Sequence, residues 1–172
     1  DNTRLIMYNI HILNTKGYDM HVTISGGSKS QKKYVRSVAK FCVTKLMPRL
    51  VKSDLHLKIK LSKLKSEELG YCLPLVDDGD RADRPRYFEI ELNSKLILRK
   101  LLVALCHEIV HVKQFAQGEL YDSMSNEKTR WQGKWIVAPE YWERPWEWAA
   151  YGREYPLFIK WCETNDIRYK WA

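Results

Sequence analysis

Nowhere does the sequence run for about 18 consecutive apolar residues, the length a bilayer core demands of a helix, so it offers no membrane span. Residues 1–25 also lack the basic start and short apolar stretch of a signal peptide, and secretion finds no support. Cysteine is sparse: Cys42, Cys72, Cys106 and Cys162 stand far apart, with no C-x-x-C spacing for a metal knuckle or redox pair. They read as reduced core thiols of an intracellular protein, since an unpaired Cys behaves as a small hydrophobe. Repeats, low-complexity tracts and linkers are missing as well. With 172 residues and 45% hydrophobic content, that leaves one domain over 1–172 with a sizeable core.

Acid is absent between Asp19 and Asp54. Residues 1–65 hold 14 Lys and Arg against 3 acids, whereas residues 66–172 hold 15 against 18, so the net charge of +8 belongs to the first third. Such asymmetry suits a nucleic acid or an acidic partner on a basic 29–52 helix; a solvated face is the plainer explanation.

What is present divides by periodicity. Apolar residues between Arg4 and Ile24, broken by Lys16-Gly17-Tyr18-Asp19, suggest one or two strands around a turn. Ser28 is placed to cap a helix with an apolar face of Tyr34, Val38, Phe41, Cys42 and Leu46; Lys29, Lys32, Lys33, Arg36, Lys40 and Arg49 lie on the other face. Leu55, Leu57, Ile59 and Leu61 alternate with polar residues, the period of a half-buried strand, and Tyr87 to Leu92 is a second extended stretch. The Asp-rich loop between them, Asp77 to Pro85, does not have the spacing of a calcium-binding EF-hand loop. Residues 95–117 are apolar almost all round and stop at Gly118, as a buried central helix would. Residues 119–144 read as an irregular or hairpin segment, and Pro145 opens a further helix that Pro156 should kink or restart. All seven tryptophans, from Trp131 to Trp171, follow the central helix, and packing is the expected role of most.

Into that central helix the chain places His107-Glu108-Ile109-Val110-His111. Histidines four apart share one face, so both imidazoles can reach one zinc ion, and Glu108 sits beside the metal where it can take a proton from bound water. Burying two histidines and a carboxylate in apolar surroundings costs several kcal/mol unless they are paired or bound to metal. A catalytic zinc ordinarily takes three protein ligands and keeps one position open. No histidine follows His111; His11, His21 and His56 all lie upstream in strand-like stretches. The third ligand is therefore expected from Glu119, Asp122, Glu127, Glu140, Glu143, Glu147 or Glu154. Glu147 is best placed, in the first turn after Pro145 and flanked by Trp146 and Trp148.

His107 to Gln114, Gly118-Glu119-Leu120, Trp131 to Lys134 and Pro145 to Glu154 together resemble zincin-like metallopeptidases of phages and bacteria, over roughly residues 84–155. That group resembles the gluzincins, in which a glutamate on a later helix completes the histidine pair, and Glu147 occupies the matching position. Two departures touch its neighbourhood: Ala149 replaces a glutamate and Tyr151 an aspartate of related patterns. The resemblance implies a minimal α+β zincin-like fold, with a small mixed β-sheet on the motif helix and a ligand helix after it. It also implies substrate bound by strand addition to Tyr87–Leu92. In the corresponding mechanism one Zn²⁺ per chain serves peptide hydrolysis with Glu108 as general base, in the cytoplasm, or the host's cytoplasm for a phage protein.

At helical spacing Glu147, Tyr151 and Glu154 share a face. Tyr151 is the candidate to steady an oxyanion, with Tyr121, Tyr141 and Tyr155 as rivals. Glu154 either orients a histidine's second ring nitrogen or pairs with Arg153 or Lys160. The alternative function is a DNA-associated protein that docks by the basic helix, its metal structural or directed at DNA-bound proteins.

Overall fold

A computed structural model of the chain describes residues 20–51, 55–65, 67–76, 82–122, 128–137 and 139–168. The strand reading for residues 4–19 and the Asp77–Asp80 cluster lie outside them. The chain is α+β: β1 (His21–Gly26), α1 (Lys29–Leu46), β2 (His56–Ser62), β3 (Gly70–Leu75), β4 (Tyr87–Asn93), α2 (Leu98–Ala116), β5 (Leu120–Asp122), β6 (Lys128–Trp131), β7 (Lys134–Val137) and α3 (Pro145–Thr164). A 3₁₀ turn at Tyr141–Glu143 precedes α3.

The first sheet has the order β1-β2-β4-β3, with β1, β2 and β4 parallel and β3 antiparallel. Its inward face is aliphatic: Leu57, Ile59 and Leu61 of β2 and Phe88, Ile90 and Leu92 of β4 join Val35, Val38, Cys42, Leu101, Leu105 and Ile109 of the helices in one core. Its outward face is polar on β2 and β4, where Glu89 lies between Lys58 at 3.1 Å and Lys60 at 2.5 Å, and apolar on β3, where Tyr71, Leu73 and Leu75 are exposed. At one end of the strands His21, His56 and Tyr87 stack, with centroids 4.6 and 4.3 Å apart.

Ser28 caps α1 as expected. Its hydroxyl accepts from the Gln31 amide and the Gln31 side chain accepts from the Ser28 amide, satisfying two of the donors a helix start leaves bare. The basic helix does not reach residue 52. It ends at Leu46, because Pro48 has no N–H to continue the ladder and disfavours the helical conformation at Met47. Helix α2 is buried along nearly its whole length. After it the chain turns at Gly118, whose φ of +72° suits glycine.

One further expectation is corrected and two are narrowed. The strand at Tyr87–Leu92 is not an edge: β4 is paired on both sides, and β3 borders it where a free edge was expected. The hairpin expected in 119–144 is there as β6-β7, and among the described residues β5 pairs with it to make a second, three-stranded sheet, followed by the 3₁₀ turn. Of the kink or restart expected at Pro156, the restart does not occur: α3 continues through it. The ring costs one backbone bond, while Ala150 on one side and Phe158, Trp161 and Cys162 on the other stay buried and hold the helix together.

Candidate metal centre

Helices α2 and α3 pack side by side, and each contributes to one buried polar cluster. On α2, His107 and His111 are one turn apart, and their Nε2 atoms approach to 3.1 Å. From the first turn of α3, Glu147 points Oε2 at them, 3.3 Å from His107 Nε2 and 3.5 Å from His111 Nε2. All three side chains are buried, and together they could hold a metal ion. A tetrahedral ion with bonds of about 2.0–2.1 Å separates its donors by roughly 3.3–3.4 Å, so the three spacings match its edges. Two imidazole nitrogens and one carboxylate also suit a borderline cation.

The other ring nitrogens are engaged, which fixes where the metal-facing lone pairs point. His107 Nδ1 meets Glu154 Oε2 at 2.9 Å and His111 Nδ1 meets Gln114 Oε1 at 2.8 Å. Each Nδ1–H donates to an oxygen, leaving Nε2 for the cluster. Gln114 is itself anchored, donating from Nε2 to the Trp146 carbonyl at 2.9 Å. Of the two roles open to Glu154, the structure assigns the histidine; Lys160 pairs with Glu163 instead.

Burial pulls the His107 imidazole downward, but hydrogen bonds to Glu147 and Glu154 outweigh it and raise its pKa to about 9. For Glu147 burial works upward, and the two histidines reverse it, holding the carboxyl well below the usual range. Glu108 is buried beside the cluster; burial raises its pKa against the opposing pull of His111 and His107. A carboxylate so placed is a better proton acceptor than one in water.

The phenols form a second layer. Tyr141 OH donates to Glu147 Oε2 at 3.1 Å and lies 3.2 Å from Tyr151 OH, whose ring meets His107 edge-on at 4.6 Å. Tyr151, the sequence candidate, is thus at the cluster, but Tyr141 is the phenol bonded to the ligand carboxylate. Gln114 went unnoticed in the sequence, although its signal was there: it follows His111 by three, the spacing of one helix face. Among the other third-ligand candidates, Glu119 is paired with Lys113 and Glu127 lies outside the described residues.

The tryptophans divide. Trp146 and Trp161 are buried as expected, while Trp135, Trp142 and Trp148 are 52%, 70% and 61% exposed. None of the four cysteines is in a disulfide: Cys42, Cys106 and Cys162 are buried, Cys42 Sγ–H donating to Cys106 Sγ at 3.7 Å, and Cys72 is half-buried. No helix among the described residues is long and apolar enough to cross a membrane. No family model matches the chain, nor does any curated protein or solved structure.

Proposed function

We propose that the chain is a zinc-dependent peptidase of zincin type, in which His107, His111 and Glu147 hold one Zn²⁺. The observation that carries this reading is the trio of donor atoms 3.1 to 3.5 Å apart with Glu108 buried beside them. Zinc bound there would polarise a scissile carbonyl and bring a water's pKa toward neutrality. The remaining work falls to the chain. Glu108 takes the proton of the attacking water and passes it to the leaving amine. Glu154 and Gln114 hold the imidazoles in the tautomer and orientation that present Nε2. Tyr151, whose O–H donates to the Tyr141 oxygen in the free protein, turns that O–H to the oxygen that gains charge as the carbonyl becomes tetrahedral. An extended peptide would pair with β3, which has only β4 beside it among the described residues.

Metal analysis alongside proteolysis tests this. Wild type is expected to carry about one zinc per chain and to cleave an unstructured protein such as reduced casein. Glu147→Ala should lose the zinc; Glu108→Gln should keep it and stop cleaving. A wild type without zinc after gentle purification and reconstitution overturns the reading.

One observation favours a second reading. Lys29, Lys33 and Lys40 are exposed along α1 and belong to no ion pair among the described residues, as a phosphate-binding face requires. DNA affinity falling steeply between 50 and 200 mM salt would support it, because bound phosphates release counterions.

A further inference from the structure

Beside the candidate metal centre four aromatic side chains converge, all of them exposed and the two indoles most. Trp142, on the 3₁₀ turn, is 70% exposed and stacks on Tyr151, with centroids 5.8 Å apart and planes within 26°. Tyr151 in turn lies against His107 at 4.6 Å. Trp148 is 61% exposed and is tied back by its indole N–H, which donates to the Trp142 carbonyl at 2.5 Å. Tyr141, wedged edge-on against Trp142 at 5.1 Å, closes the group. The support is rigid: the Glu143 amide donates to Glu140, and Arg144 donates to Tyr141 from its backbone and to Pro139 from its side chain. Large rings held open to water at the mouth of a polar site are the surface that binding covers.

We propose that the Trp142–Tyr151 stack, with Trp148 beside it, is a specificity subsite that takes an aromatic or large apolar side chain next to the bond to be cleaved. This rests on the peptidase reading and names the substrate side chain that reading leaves open. The stack touches a metal ligand, so a side chain lying on it is adjacent to the reacting carbonyl. Flat rings prefer flat partners, and each aromatic contact adds affinity beyond the area it covers. A nucleobase also has a flat face, but the rings share residues 139–155 with Glu140, Glu143, Glu147 and Glu154 against Arg144 and Arg153, a net negative charge that disfavours phosphate. Trp142 would thus act on substrate choice and leave the metal in place.

The zinc-loaded protein provides the test, with sites in reduced casein mapped by mass spectrometry for wild type and Trp142→Ala. Wild type should cut beside Phe, Tyr, Trp and Leu. In Trp142→Ala, kcat/KM at those sites should fall about tenfold further than at sites beside small residues, mainly through KM, while zinc content stays unchanged. Binding of N-acetyl-phenylalanine amide and N-acetyl-alanine amide, followed by tryptophan fluorescence, separates this proposal from the one it rests on. A wild type that cleaves nothing yet binds the phenylalanine amide through Trp142 sinks the peptidase reading and keeps the subsite. An unchanged cleavage pattern in Trp142→Ala, or tighter Trp142-dependent binding of oligothymidylate than of the phenylalanine amide, overturns the subsite.

Discussion

At the scale of single residues, the site is defined by atoms that touch atoms, and its second layer is as specific as its first. Tyr141 and Glu154 each bond a donor residue without being donors themselves. Glu154→Gln and Tyr141→Phe are therefore expected to weaken zinc binding by about 10- to 100-fold in competition with a chelator, leaving the fold intact by circular dichroism. Equal affinity for wild type and both variants would show that the contacts position nothing. The histidine pair could be read from spacing because a helix converts sequence offset into direction, whereas Glu147 was chosen by its place after Pro145 and by the resemblance. Tyr141 could not be chosen over Tyr151 that way: it lies on a turn, where no period says which way a side chain points. Exposure of Trp142 and Trp148 was illegible for a related reason. Composition favours burying indoles, and only the packing of α3 shows that Trp146 took the inward place.

At the scale of elements, helices were readable, β5-β6-β7 only as an irregular or hairpin segment, and β3 not at all. The sequence separates α1 by its 3.6-residue period and Ser28, α2 by its all-round apolar run ending at Gly118, and α3 by Pro145 at its start. Strand β3 hides because it inverts the usual pattern: Gly70, Cys72 and Pro74 are half-buried, while Tyr71, Leu73 and Leu75 are exposed. Its proline and glycine argue against a strand, and only pairing with β4 makes it one. Two glycines test how tightly the elements join. At Gly26, φ is +70° and a Cβ would lie 2.1 Å from the Leu61 carbonyl oxygen, so Gly26→Ala should cost about 2 kcal/mol or more in urea unfolding. Gly133 has φ +83° but open space around it, and its alanine variant should lose only about 1 kcal/mol. Equal losses would show that contact with β2 contributes nothing. Within α3, Pro156→Ala restores a backbone donor at an exposed position and should raise stability by about 1–3 kcal/mol.

At the scale of the whole molecule, the candidate centre draws two donors from α2 and one from α3, so an ion there ties together helices that are distant in sequence. Zinc at about 100 times its dissociation constant should stabilise the fold by about 2.7 kcal/mol, raising Tm by roughly 5–11 °C for a chain of this size. Differential scanning calorimetry with and without a chelator measures this; Glu147→Ala should show a much smaller shift. A wild-type Tm indifferent to zinc would detach the cluster from metal binding altogether.

The segment between those helices has a different freedom. The chain leaves α2 at Gly118, builds β5-β6-β7 with pairings internal to that sheet, and returns at Pro145. None of the three donors lies on it. Its sheet is a cassette: the side chains of β5-β6-β7 can change under selection, or be exchanged by an engineer, without re-aiming an imidazole or a carboxylate, provided that Tyr141 beyond the sheet keeps its bond to Glu147. On the proposed peptidase reading, recognition can then diverge quickly while the chemistry at the donors stays fixed.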